Sequence, residues 1–219
     1  MLIFYKNSYM LRKKFISNIM NINNNQVFDS LKETMDSYFP LSKETWEELK
    51  KICKIRNIKK NEYAFDFYDK VNEISYVYKG LFRTFSLNEK GEEYTKNFFW
   101  ETRLYGPMVA LLNNKPLTSI VQALENSIVI EIKHDKYREL LLKYDDLKMY
   151  HILYLEKHWI LQKDESAYSL VLEDAKERYK RFQEEYKHII SRLPQYHIAS
   201  YLGISPTHLS RIRKELKEK

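Results

Sequence analysis

The spacing of apolar residues changes twice along the chain. Between Asn23 and Lys51, Val27, Leu31, Met35 and Phe39 recur at every fourth position, the repeat of one face of an α-helix. Ser42, with Glu44 and Glu47 close behind, reads as the start of a short second helix carrying Trp46 and Leu49. From Cys53 to Ile132 the period shortens. Runs rich in Tyr, Phe, Val and Ile fall at 58–67, 74–79, 81–87, 94–100, 119–124 and 128–132, and the polar segments 72–73, 88–91 and 113–116 separate several of them. Short strands at this spacing predict a β-barrel or sandwich. Gly80 and Gly91 fall where turns or bulges are expected.

Helical spacing returns near Asp135. Leu140, Leu147, Tyr154 and Leu161 are seven apart, Ile152, Leu155 and Trp159 form a second apolar row, and Leu153 and Ile160 a third. A helix apolar on several sides needs more than one covering surface. One side is expected on the barrel and another on a second subunit, although an ordinary buried helix has the same pattern. A further helix is predicted over 172–191, with Tyr179, Phe182, Tyr186 and the Ile189–Ile190 pair at helical spacing, ended by Leu193-Pro194.

The most informative stretch is 194–216, PQYHIASYLGISPTHLSRIRKEL. Pro194 opens a helix, Ile198 and Leu202 face inward, and Ala199 is small enough for a close helix crossing. Gly203 suits a positive φ in the turn, and Ile204 plugs the corner. Ser205 is a favourable N-cap and Pro206 a favourable first helical residue. Leu209, Ile212 and Leu216 continue the inward seam. Two short helices around a Gly-containing turn form a helix-turn-helix. The outer face offers Ser205, Thr207, His208, Ser210, Arg211 and Lys214, with Gln195 at the start of the first helix. Arg211 has the geometry to pair bidentately with guanine, and Thr207 to touch a thymine methyl or a phosphate. Lys214, Lys217 and Lys219 are placed to neutralise phosphates.

Charge and composition sharpen this picture. Net charge is +7, and from Lys187 onward seven Lys or Arg stand against two Glu. Positive charge is thus concentrated where the shape suits a duplex, although a solvated basic hairpin has the same composition. The single cysteine, Cys53, excludes an intrachain disulfide and a four-thiolate iron–sulfur site, and fits a reducing compartment. No apolar run approaches the ~20 residues of a membrane span. The N-terminal order, apolar residues before Arg12, Lys13 and Lys14, is the reverse of a signal peptide. Residues 1–22 read as an extension, disordered or preceding a later start at Met10, Met20 or Met35, or as a basic arm. Between Cys53 and Lys133 there is no His, which argues against a metal or nucleophilic site on the strands. His151 and His158 are seven apart and, with His134, read as helix-surface or interface residues. No catalytic residue, metal or cofactor is expected.

The stretch IASYLGISPTHLSRIRKEL closely resembles the helix-turn-helix of the Crp/Fnr superfamily of bacterial regulators, and the order of elements from about Asn23 onward is similar to that superfamily's. The resemblance implies an α+β fold. N-terminal helices and a jelly-roll or β-roll sensor domain would occupy 23–143, a long dimerisation helix with its hinge 144–170, and an all-helical helix-turn-helix domain 171–219. It also implies a cytoplasmic homodimer on double-stranded DNA, contact with RNA polymerase, and control by a small-molecule effector or by none. Thr207 and Arg211 match the family's base-contacting positions, whereas Pro206 stands where an Arg is frequent, and no β-hairpin wing follows the second helix. The family's phosphate-binding cassette maps onto Gly106, Pro107, Leu117 and Thr118. Pro107 replaces the ribose-binding Glu and Leu117 the phosphate-binding Arg, which argues against cyclic AMP or cyclic GMP. Arg103 and Lys115 lie near the cassette without sitting on it. The rival expectation is a ligand-binding or protein-interaction module that has lost DNA binding.

Overall fold

The computed structural model describes residues 23–67, 69–113, 115–161 and 173–217. The expectations for 1–22 and Lys219, and those for 162–170, lie outside the described residues.

Two helices, α1 (Asn24–Asp36) and α2 (Lys43–Lys51), precede the strands. The Ser42 hydroxyl caps α2 by accepting from the Thr45 N–H at 3.1 Å. Val27, Leu31 and Met35 are fully buried, so the fourfold repeat is the packed face of α1. Phe39 lies beyond the end of that helix and is half-buried.

The strands form two antiparallel four-stranded sheets. One has the order β1 (Cys53–Ile58), β8 (Ser127–Lys133), β3 (Glu73–Lys79), β6 (Leu104–Tyr105). The other has the order β2 (Tyr63–Phe65), β7 (Ile120–Ala123), β4 (Phe82–Leu87), β5 (Glu93–Phe99). Of the single strand expected over 58–67, Tyr63–Phe65 form β2 and Ile58 ends β1, which lies otherwise before that run and in the other sheet. The chain reverses between them through Asn61, whose φ is +69°. Strand β6 has no counterpart in the apolar runs, because only two residues pair.

Strands β3 and β8 are buried on both faces, and alternation sorts their side chains. Ile128, Ile130 and Ile132 of β8, with Ile74 and Tyr76 of β3, join α1 and α2 in one core. Val129 and Val77 turn the other way, to meet Phe65, Phe82, Tyr105 and Val121 between the sheets. The Tyr76 hydroxyl ties the first core to α1 through Ser30 Oγ at 2.9 Å and Thr34 Oγ1 at 2.8 Å. A third core holds Leu81, Phe98 and Leu124 of the roll against the C-terminal helices.

Of the long helix expected over 144–170, residues 145–161 are described, as an α-helix that passes into a π-helical stretch. Helix α4 (His134–Lys143) ends at Tyr144, and α5 (Asp145–Leu155) restarts and continues as a π-helical stretch, Glu156–Leu161. The break is held by Asp146, whose carboxylate accepts from the Ser42 N–H at 2.7 Å and from the Thr45 hydroxyl at 2.8 Å. The apolar rows part accordingly. Leu147, Tyr150 and Tyr154 are buried against the roll, whereas Ile152, Ile160 and Leu161 are 40%, 62% and 62% exposed.

A short helix, α3 (Met108–Asn113), lies between β6 and β7. The helix expected over 172–191 is α6 (Ala175–Glu185), followed by turns and a 3-10 turn, Ile190–Arg192. Asp174 and Glu177 close a capping box at its start. Two further helices complete the chain, α7 (Gln195–Leu202) and α8 (Pro206–Lys217).

Gly80 joins β3 to β4 at φ +122°, and a Cβ there would stand 2.0 Å from Ser127 Oγ and 2.9 Å from Ser127 Cα. Both backbone and neighbour therefore demand glycine. Gly80→Ala is expected to destabilise the protein by about 2–4 kcal/mol, read as a lowered urea midpoint with unchanged slope.

Candidate nucleic-acid interface and adjoining cavity

The two-helix unit forms for local reasons. Gly203 ends α7 in the left-handed region, with φ +69° and ψ +31°. The Ile204 N–H returns to the Ala199 carbonyl at 3.0 Å. Ser205 opens α8: its hydroxyl accepts from the His208 N–H at 3.1 Å and its carbonyl from the Leu209 N–H at 3.0 Å. Pro194 stands one position earlier than expected, as the N-cap of α7. Ile198, Ala199, Leu202, Leu209 and Ile212 are buried in one seam with Tyr179 and Phe182 of α6. Ile204 and Leu216 are partly buried against it.

That seam leaves one stripe of α8 outward. Thr207, Ser210, Arg211 and Lys214 are exposed at i, i+3, i+4 and i+7, and His208 is half-buried beside them. Gln195 and Ser205 are also exposed. The stripe thus combines hydroxyl donors with two cations. Glu215, exposed one turn after Arg211, flanks the stripe and pairs with Lys176 of α6 at 3.0 Å.

Helix α7 is docked on the roll, which sequence reasoning did not anticipate. Arg83 of β4 is 3% exposed. It donates through Nε and Nη2 to Gln122 Oε1 at 2.9 and 2.8 Å, and through Nη1 to His197 Nδ1 at 2.8 Å. It also pairs with Glu93 at 2.6 Å and lies over the Phe85 ring at 4.0 Å. Ser200 caps the free edge of β5: its hydroxyl accepts from the Thr95 N–H at 2.9 Å and donates to the Glu93 carbonyl at 2.8 Å. Arg192 grips Glu101 at 2.9 Å and Glu125 at 2.7 Å. The hydrogen bonds that Arg192 donates to Glu125 and Glu101 hold it charged.

A cavity of about 390 Å³ lies beside this junction. All four cassette residues, Gly106, Pro107, Leu117 and Thr118, line it. Leu117 is 8% exposed and contributes an apolar wall where the cassette would have a guanidinium. Residues that the cassette pattern did not flag complete the lining: Trp100 and Arg103 after β5, Tyr154 and His158 of the α5 segment, and Tyr186 and Tyr201 of the C-terminal unit. The Arg103 guanidinium lies over the Trp100 ring at 4.5 Å and donates to His158 Nδ1. The same guanidinium nitrogen lies 3.1 Å from His158 Nε2, which also meets the Tyr38 hydroxyl at 2.5 Å. Lys115 is not among the lining residues.

The histidines differ from the surface residues expected of them. His134 is 7% exposed, and His151 and His158 are half-buried. Burial above all, then neighbouring positive charge, pulls down their affinity for protons. His151 falls to about 4 beside Arg138, His158 to about 4 beside Arg103, and His197 to about 3 beside Arg83.

Comparisons with known proteins give matches to a family, to a curated relative and to solved structures. The family described as "Cyclic nucleotide-binding domain" matches residues 55–144. Over 109 residues the chain is 32% identical to the transcriptional activator protein Anr of Pseudomonas protegens, covering 49% of this chain and 44% of that relative. The match thus spans less than half of the relative's length. Among solved structures, the c-di-GMP-responsive global regulator CLP of Xanthomonas campestris aligns at TM-score 0.64 and 18% identity over 81% of this chain and 92% of that one. FixK2 of Bradyrhizobium japonicum aligns at TM-score 0.63 and 17% identity, over 76% and 85%. A chain of the crp/fnr family from Eubacterium rectale aligns at TM-score 0.64 and 14% identity, over 83% and 88%. These structures share the fold, a β-roll with C-terminal helices.

Folded-state proton affinities below the ordinary value near 6.5 set a sign. The unfolded chain takes up protons that the folded chain refuses, so stability is full above about pH 6.5 and falls as pH drops towards 4. The thermal midpoint is expected to be flat from pH 7 to 8 and to decline below 6.5. A His197→Gln variant should show a decline shallower by about one proton, and equal slopes for the two would refute a neutral, docked His197.

Proposed function

We propose that this chain is a member of the Crp/Fnr superfamily and a homodimeric transcription regulator of the cytoplasm that reads double-stranded DNA with helix α8. The observation that carries the reading is the split of α8 into two faces. Leu209 and Ile212 are buried at 0% and 3% exposure, while Thr207, Ser210, Arg211 and Lys214 stand in solvent on one stripe. A major groove admits a helix, and arginine pairs bidentately with guanine there. Thr207 and Arg211 would contact bases, and Lys214, His208, Ser205, Ser210 and Gln195 would support those contacts or reach phosphates.

The exposed apolar residues Ile152, Ile160 and Leu161 support dimerisation along the α5 segment. A twofold dimer would set two recognition helices about 34 Å apart, one helical turn of a near-palindromic site. The name of the Pseudomonas relative, a transcriptional activator, supports contact with RNA polymerase. Leu117 and Pro107 speak against cyclic AMP as the effector, and the cavity beside them is the place for another ligand. The relatives that match are regulators, and no enzymatic activity is proposed.

Mobility shift with promoter fragments tests the reading. Specific binding should weaken steeply with salt. Arg211→Ala should lose about 1–3 kcal/mol and relax the preference at one base pair, whereas Lys214→Ala should weaken all sequences alike and reduce the salt slope by about 1. A wild-type chain that binds no promoter DNA at any salt concentration would leave only a ligand-binding or interaction module.

A further inference from the structure

The cavity of about 390 Å³ is large enough for a small organic molecule. Its walls come from three parts of the chain: the roll, the α5 segment and the C-terminal helices. Trp100, Tyr154, Tyr186 and Tyr201 supply aromatic surface. Arg103 supplies charge. Its position is fixed, because the turn carrying it is stitched to β3 by the Val77 N–H to the Arg103 carbonyl and by the Thr102 N–H to the Val77 carbonyl, each at 2.9 Å. Its guanidinium meets the Trp100 ring and the His158 imidazole, and among the described residues no carboxylate pairs with it. Arg192 and Arg83, by contrast, each hold carboxylates within 2.9 Å. Burial and Arg103 itself keep His158 neutral, so the imidazole balances none of that charge. A half-buried cation with only neutral partners attracts an anion strongly, because the low local dielectric raises the value of the missing charge.

We propose that this cavity binds an aromatic acid: a planar ring system against Trp100, Tyr186 and Tyr201, with its carboxylate paired to Arg103. Lys96, hydrogen-bonded to Ser119 at 2.9 Å, adds positive charge to the lining. Glu185, the one carboxylate among the described lining residues, belongs to the C-terminal helices and lies near Tyr186 and Tyr201. Leu117 keeps the cassette wall apolar, which suits a ring rather than a ribose phosphate. Because Tyr186 and Tyr201 belong to the unit that carries α7 and α8, a ligand seated here touches that unit directly. The proposal deepens the effector reading given above.

Calorimetric titration of the full chain with 1-naphthoate, its uncharged counterpart 1-naphthamide, and cyclic AMP tests this. Naphthoate should bind at least tenfold more tightly than naphthamide and raise the thermal midpoint. Arg103→Gln should abolish that tenfold preference while leaving naphthamide binding unchanged, and Tyr201→Ala should weaken both ligands at least threefold. The comparison of naphthoate with naphthamide on the wild type needs no variant to fold. Equal affinities for the two, no binding by either, or binding of cyclic AMP alone would each overturn the proposal. Promoter binding measured without ligand stands apart: its loss would sink the regulator reading and leave the aromatic-acid site standing, and its success with no naphthoate binding would do the reverse.

Discussion

The arrangement of this molecule depends on how one buried guanidinium is neutralised. Arg83 sits at 3% exposure on a central strand. An arginine so placed costs several kcal/mol unless charge and hydrogen bonds surround it. The roll supplies Gln122 and Glu93, and His197 of the C-terminal unit is the third polar partner. Docking α7 therefore completes the coordination of a charge that the roll alone leaves partly unmet. His197 serves as a neutral acceptor: burial above all, and then the charge of Arg83 beside it, drives its affinity for protons far down. Ser200 and Arg192 extend the same logic, one saturating a strand edge and the other two carboxylates.

The cavity follows from that docking. Phe98 packs edge-on against Phe182 and Tyr186, and Tyr201 joins them, so one aromatic cluster bridges the sheet and the C-terminal helices. Where the cluster stops, the roll, the α5 segment and α7 enclose a space that none of them fills. A site with walls from three units is sensitive to their relative placement. A ligand that differs in affinity between two such placements shifts their populations by that difference and no more.

Which parts of this were legible in the sequence is a question of range. The turn at Gly203 and the start of α8 at Ser205-Pro206 are decided within a few residues, so they could be read directly. Alternation fixed most strands for the same reason. The break at Tyr144 is not marked by the apolar rows, because Leu140, Leu147 and Tyr154 keep the heptad spacing across it and neither Gly nor Pro stands there; the expected start of a helix at 144 came from the family resemblance. What decides it is Asp146 capturing Ser42 and Thr45 from a hundred residues away. The division of 58–67 between β1 and β2 likewise depends on which sheet each part joins. Leu117 and Gly106 could be placed from the cassette pattern, but Arg103 could not. A cation after a strand looks like any solvated residue until the fold sets His158 and Trp100 around it.

The docked arrangement also separates two jobs within one small domain. Helix α7 spends its polar positions, His197 and Ser200, on the roll, and its apolar ones on the seam. Helix α8 gives its apolar face to the same seam and commits neither Thr207 nor Arg211 to the roll. Contact with the roll therefore removes nothing from the outward stripe. If that stripe reads DNA, docking controls where it points rather than whether it is available. In a dimer joined along α5, the distance between two such stripes is then set by the same contacts that neutralise Arg83, and loosening them changes spacing before it changes chemistry.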